Sequence, residues 1–152
     1  MMPHAGDRAT SRPRLPPVSS LRSPLILAGV AAGGAAGALA RYGISKAIRW
    51  DGVGFPWATF VTNVIGCLVI GALVVWLVER STAAPWVRPL LVTGVLGGFT
   101  TFSTFALESR DLLVGDRPVM ALVYIGATLI VGIAAVALTR RVVVAMMTDG
   151  RA

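Results

Sequence analysis

The chain has 152 residues, of which 55% are hydrophobic and 14% charged, and its mean hydropathy is +0.76. A water-soluble domain of this length leaves too much of its surface in water to hide so much apolar area, so the expected solvent is lipid. The formal charge of +7 does not point to nucleic acid, because the Lys and Arg residues are spread over an N-terminal segment, loops and helix ends, where they meet lipid headgroups and helix C-termini.

Residues 1–24, MMPHAGDRATSRPRLPPVSSLRSP, are rich in Pro, Ser and Arg and nearly empty of large apolar residues. Such a composition cannot repay the entropy of ordering, and a disordered basic tail is expected. A cleaved signal peptide is the rival; it is disfavoured because the apolar stretch that follows continues past signal length into an aromatic and basic helix end. Residues 25–147 are expected to form an all-α membrane domain of four transmembrane helices, at about 25–47, 56–79, 86–113 and 117–145. Each apolar stretch is near the roughly 20 residues that a helix needs to cross about 30 Å of hydrocarbon.

In the first span, GVAAGGAAGALARY places Gly29, Gly33 and Gly37 four residues apart, a spacing that lets two helix backbones approach closely. Arg41 either snorkels from the helix end or faces an aqueous vestibule. The second span contains Asn63, preceded by Thr59 and Thr62. Threonines commonly satisfy themselves on a carbonyl one turn back. The Asn63 amide, with two donors and a carbonyl, cannot be met locally, and serves either as glue between helices or as a donor to an anion. Cys67 reads as a small buried hydrophobe, and His4 lies in the tail, so no disulfide, zinc site or Cys/His nucleophile fits within one chain.

The third span ends in GGFTTFSTFALES, residues 97–109. Two adjacent glycines weaken a helix, by about 1 kcal/mol each in aqueous hosts, and the hydroxyls after them offer the backbone other partners. A helix break is therefore expected near Gly97 and Gly98. Irregular backbone survives at membrane depth only when buried in protein or lining a cavity, and its free carbonyls make a cation site. If helix resumes, Phe102 and Phe105 share a face. They either pack in the ordinary way or turn their positive ring edges to an anion, with Ser103 and Thr104 as nearby donors. Glu108, near the helix end with Arg110 two residues on, reads as an interfacial group, with a pore residue as the alternative. In the fourth span, Tyr124 and Thr128 stack at i and i+4, and Tyr124 is either an interfacial anchor or part of a polar track.

An even number of spans leaves both termini on one side. That side carries Arg8, Arg12, Arg14, Arg22, Arg80, Arg88, Arg140, Arg141 and Arg151, against Lys46, Arg49, Arg110 and Arg117 opposite, with Arg41 at a helix end. Cytoplasmic termini are favoured. Without the tail's Arg8, Arg12 and Arg14, however, the bias is too small to fix orientation firmly.

GGAAGALARY, TFVTNVIGCLVIG and GGFTTFSTF, in that order within a four-span chain, resemble the CrcB/Fluc family of fluoride channels over residues 25–145. The resemblance implies an antiparallel, dual-topology dimer, either of identical chains or with a homologue, in a bacterial cell membrane. It implies two fluoride pores along the subunit interface and a third helix broken mid-membrane. Asn63, Phe102 and Phe105 match the family's pore residues, and Thr59, Ser103, Thr104, Tyr124 and Thr128 match more loosely. The carbonyls of Gly97 and Thr100 would hold a structural sodium ion. Phe99 stands where the family often has leucine. A small four-span proton-coupled multidrug exporter is the alternative, but it needs a carboxylate in the first span, and Leu25 to Ala40 has none.

Overall fold

The computed structural model describes residues 23–79 and 86–149. Most of the expected tail, residues 1–22, lies outside the described residues; Pro24, the tail's last residue, already opens the first helix. Among the described residues the fold is all-helical: α1 (Pro24–Ala47), α2 (Trp57–Glu79), α3 (a π-wound segment Pro89–Leu96 running into Gly97–Phe99), α4 (Phe102–Val114) and α5 (Pro118–Asp149). Pro begins α1, the π-wound segment and α5, where its missing N–H costs nothing. With α3 and α4 taken as one interrupted span, four helices are long and apolar enough to cross a membrane.

The helices pair in two parallel sets, α1 on α3 and α2 on α5, with α4 lying against α5. Glycine makes both seams. A Cβ on Gly94 would come within 2.8 Å of the Val30 carbonyl oxygen, one on Gly37 would meet the Val95 carbonyl oxygen, and one on Gly98 would strike the backbone of Gly34. In the second set, a Cβ on Gly71 would lie 2.9 Å from the Val136 carbonyl oxygen. Close backbone approach of this kind is how helices gain packing energy where lipid removes the hydrophobic drive between them. The glycine run of the first span therefore does packing work, with Gly33 and Gly37 buried.

Large apolar side chains cover the outside, as at Leu39 (71% exposed), Ile130 (70%) and Ile133 (71%). Such a surface requires lipid or a partner. The most buried cluster sits at one end, where Leu112, Ala121 and Tyr124 are closed over by Trp50, Phe55, Phe60, Phe105 and Met120. Phe55 lies edge-on to both Phe60 and Tyr124, at centroid distances of 5.2 and 5.3 Å. Its loop is tied by Asp51, whose Oδ1 accepts from the N–H groups of Val53 and Gly54. Those bonds, Gly54 first, hold the Asp51 carboxyl below its ordinary range.

Gly98→Ala is expected to cost about 1–3 kcal/mol, the cost of overpacking a tight contact, whereas Gly43→Ala, which meets nothing within 4 Å, should not destabilise. Thermal unfolding of the two variants in detergent checks the difference.

Candidate ion-conduction site

The interruption in the third span falls at Thr100 and Thr101, both extended, with ψ of 159° and 121°. The interruption expected near Gly97 and Gly98 thus falls just after the glycines, on the hydroxyl residues. Gly97 is helical (φ −62°, ψ −33°), and the absent Cβ of Gly98 makes room for α1. The break comes from the hydroxyl residues and from Asn63.

Asn63 exchanges two hydrogen bonds with the backbone of Thr101: its Nδ2 donates to the Thr101 carbonyl (3.1 Å), and the Thr101 N–H donates to its Oδ1 (3.0 Å). The side chain on α2 thus stands in for a peptide unit. Thr101 then caps α4, its Oγ1 accepting from the Thr104 N–H (3.2 Å) and donating to Thr104 Oγ1 (3.0 Å). A hydroxyl has one proton. Thr101 has spent its own on Thr104, so the Thr104 proton is left to donate elsewhere. Ser103 Oγ lies 3.3 Å from Thr101 Oγ1.

These bonds account for two of the carbonyls that the break releases. In an unbroken helix the N–H of Thr101 would close on the Gly97 carbonyl, and that of Thr104 on the Thr100 carbonyl. Both have been diverted, to Asn63 and to Thr101 Oγ1. Leu96 O keeps a helical donor, the Thr100 N–H, and gains its hydroxyl. The Gly98 carbonyl accepts from Arg41 Nε at 3.3 Å. Arg41, expected to snorkel or to face a vestibule, is thus turned onto the broken helix. Gly97 and Thr100 offer two hard oxygen ligands without their helical donors, a donor set that suits a small alkali cation.

Beside the break lies a cavity of about 450 Å³ lined by Asn63, Gly97, Thr100, Thr101, Phe102, Phe105 and Thr128 together with apolar residues and Cys67. Among the described residues, no charged side chain borders it. Phe102 is 80% exposed in the single chain, and its ring centroid is 5.9 Å from that of Phe105. Thr128 Oγ1 is buried and has no hydrogen-bond partner among the described residues.

Thr59 and Tyr124 belong instead to a second polar cluster. Glu108, expected at the interface, is buried at 9% exposure, accepting from Thr59 Oγ1 (2.8 Å) and from the Tyr124 hydroxyl (2.7 Å). The sequence signal for this was available in the i, i+4 pairs. Thr59 and Asn63 on α2, Tyr124 and Thr128 on α5, and Glu108 and Thr104 on α4 each place two polar groups on one helix face, roughly 6 Å apart. Because α4 runs opposite to α2 and α5, the three pairs align. Phe105 links the two levels, its ring 5.2 Å from that of Tyr124.

Tyr124→Phe strips one donor from a buried carboxyl and is expected to destabilise by about 1–3 kcal/mol. In a double-mutant cycle with Glu108→Leu the losses should be clearly less than additive, measured as unfolding midpoints in detergent.

Residues 28–140 match the family described as CrcB-like protein, Camphor Resistance (CrcB). Among relatives, the chain is 43% identical over 136 residues to "Fluoride-specific ion channel FluC 1" of Streptomyces coelicolor, covering 89% of this chain and 88% of that protein. It is 47% identical over 106 residues to "Fluoride-specific ion channel FluC 2" of Streptomyces avermitilis, covering 68% and 66%. It is 43% identical over 125 residues to "Fluoride-specific ion channel FluC 2" of Nocardia farcinica, covering 82% and 86%. With four helices among the described residues long and apolar enough to span a membrane and a match over most of its length, this chain belongs to the CrcB family.

Proposed function

We propose that the protein is a fluoride-selective channel that lets the ion leave the cell passively across the plasma membrane of a bacterium. The observation that carries this reading is the uncharged, donor-bearing cavity at the helix break, joined to relatives named as fluoride-specific channels. Fluoride is small and strongly hydrated, so a narrow path must exchange its water for protein donors. The free proton of Thr104, the unpartnered hydroxyl of Thr128, the second N–H of Asn63 and the ring edges of Phe102 and Phe105 are such donors. None carries a full positive charge that would trap the anion. From that level the track continues to Tyr124 and Thr59, whose hydroxyls now serve Glu108; a passing anion would compete with that carboxylate for the same protons.

The exposed Phe102 ring and apolar flank support a pore completed by a second copy, antiparallel to the first, as the weak charge bias allows; a homologous chain would serve equally. The carbonyls of Gly97 and Thr100 would hold a sodium ion there, which would supply fixed positive charge and tie the break in place. The multidrug-exporter alternative gains no support, since the first span presents no carboxylate for cation coupling.

Vesicles reconstituted with the protein should release fluoride, read with a selective electrode, far faster than chloride. Proton-coupled cation uptake without fluoride release would refute the channel. Phe102→Ile is expected to cut fluoride release by up to about tenfold, the worth of a lost ring contact, without loss of folded protein. Replacing sodium by an organic cation throughout purification should lower the thermal stability of the assembly.

A further inference from the structure

We propose that Asn63 is the positioning residue that creates the cation site, by drawing the Thr101 N–H away from the Gly97 carbonyl. The inference rests on the reading of Gly97 and Thr100 as sodium ligands and adds what makes the Gly97 ligand available.

The geometry carries it. An N–H has one proton, and that of Thr101 points to Asn63 Oδ1 at 3.0 Å. Were no acceptor supplied from α2, the nearest helical partner of that N–H would be the Gly97 carbonyl, and closing the bond would continue the turns of α3 toward Phe102. An oxygen so engaged gives one of its lone pairs to the N–H and leaves a cation only the other. Asn63 also donates to the Thr101 carbonyl at 3.1 Å, which holds Thr101 extended and so keeps its hydroxyl over the first turn of α4. That cap in turn diverts the Thr104 N–H from the Thr100 carbonyl. Both ligands therefore depend on one side chain: Gly97 directly, and Thr100 through Thr101. Asn63 itself points into the same cavity as the aromatic pair. The residue that offers an N–H to the anion thus also exposes the oxygens for the cation.

The test is sodium-dependent thermal stabilisation of the purified full chain, titrated against an organic cation at constant ionic strength, with fluoride release measured separately. Asn63→Leu keeps the shape and removes both bonds. It should raise the half-saturating sodium concentration by about tenfold or more, the loss of roughly one good ligand. Replacing Thr101 by its α-hydroxy acid in the Asn63→Leu background removes the N–H that would close on Gly97, and should recover part of the sodium response, since the Gly97 oxygen is released while the Thr100 carbonyl, now that of an ester, is a weaker ligand. A role for Asn63 in packing alone predicts no such rescue. Asn63→Asp, which retains an acceptor for the Thr101 N–H but no donor for the Thr101 carbonyl, should keep the part of the response that rests on Gly97 and serves if Asn63→Leu does not fold. Three results would overturn the proposal: an unchanged sodium response in Asn63→Leu, no rescue by the α-hydroxy residue, or loss of the response in Asn63→Asp. A wild-type protein that releases fluoride but ignores sodium would remove the cation site and this proposal with it, and leave the channel standing.

Discussion

Two hydrogen bonds between the Asn63 amide and the backbone of Thr101 fix most of what is distinctive in this molecule. A break in a helix costs little in water, where solvent takes up the orphaned N–H and C=O groups. In hydrocarbon each such group must find a partner in the protein. Asn63 provides a donor and an acceptor in the spacing of a peptide unit, so the chain can leave the helix at Thr100 and re-enter it at Phe102 with both backbone groups of Thr101 met. The Thr101 hydroxyl that follows caps the helix that resumes, and the cavity lies beside the break.

Much of this was legible in the amino-acid order. Four spans followed from hydropathy, and Asn63, Phe102, Phe105 and Thr128 were marked as the polar or aromatic exceptions that the structure gathers around one cavity. The break was expected near the glycine pair and falls just after it, because glycine has two uses. Its backbone entropy argues for a break, its missing Cβ for close packing, and only the neighbour at Gly34 decides between them. The fate of Glu108 was hidden for a different reason. Burial of a carboxyl is set by what stands on the other helices, and Thr59 and Tyr124 are distant from it in sequence. Arg41 was likewise ambiguous until its acceptor, the Gly98 carbonyl, was known.

Glu108 sharpens the electrostatics of the site. Among the described residues its partners are two hydroxyls and no cation. Neutral donors on a buried acid leave its charge state open to whatever else arrives, in contrast to an ion pair, which would lock it. The aromatic lid built by Phe55, Phe60 and Trp50 over Tyr124 keeps bulk water from dominating that choice. One end of the polar track is thus acidic and covered, while the other, at the break, is uncharged and open.

The glycine seam between α1 and α3 bears on how the molecule moves. Carriers that alternate between two faces slide or tilt one helix group against another. A seam in which Gly34 and Gly98, and Gly37 and Val95, meet backbone to backbone has no low-energy slip position, since a shift along the axis drives a side chain into the neighbouring main chain. The seam therefore holds α1 and α3 as one unit, which resists sliding of either helix past the other.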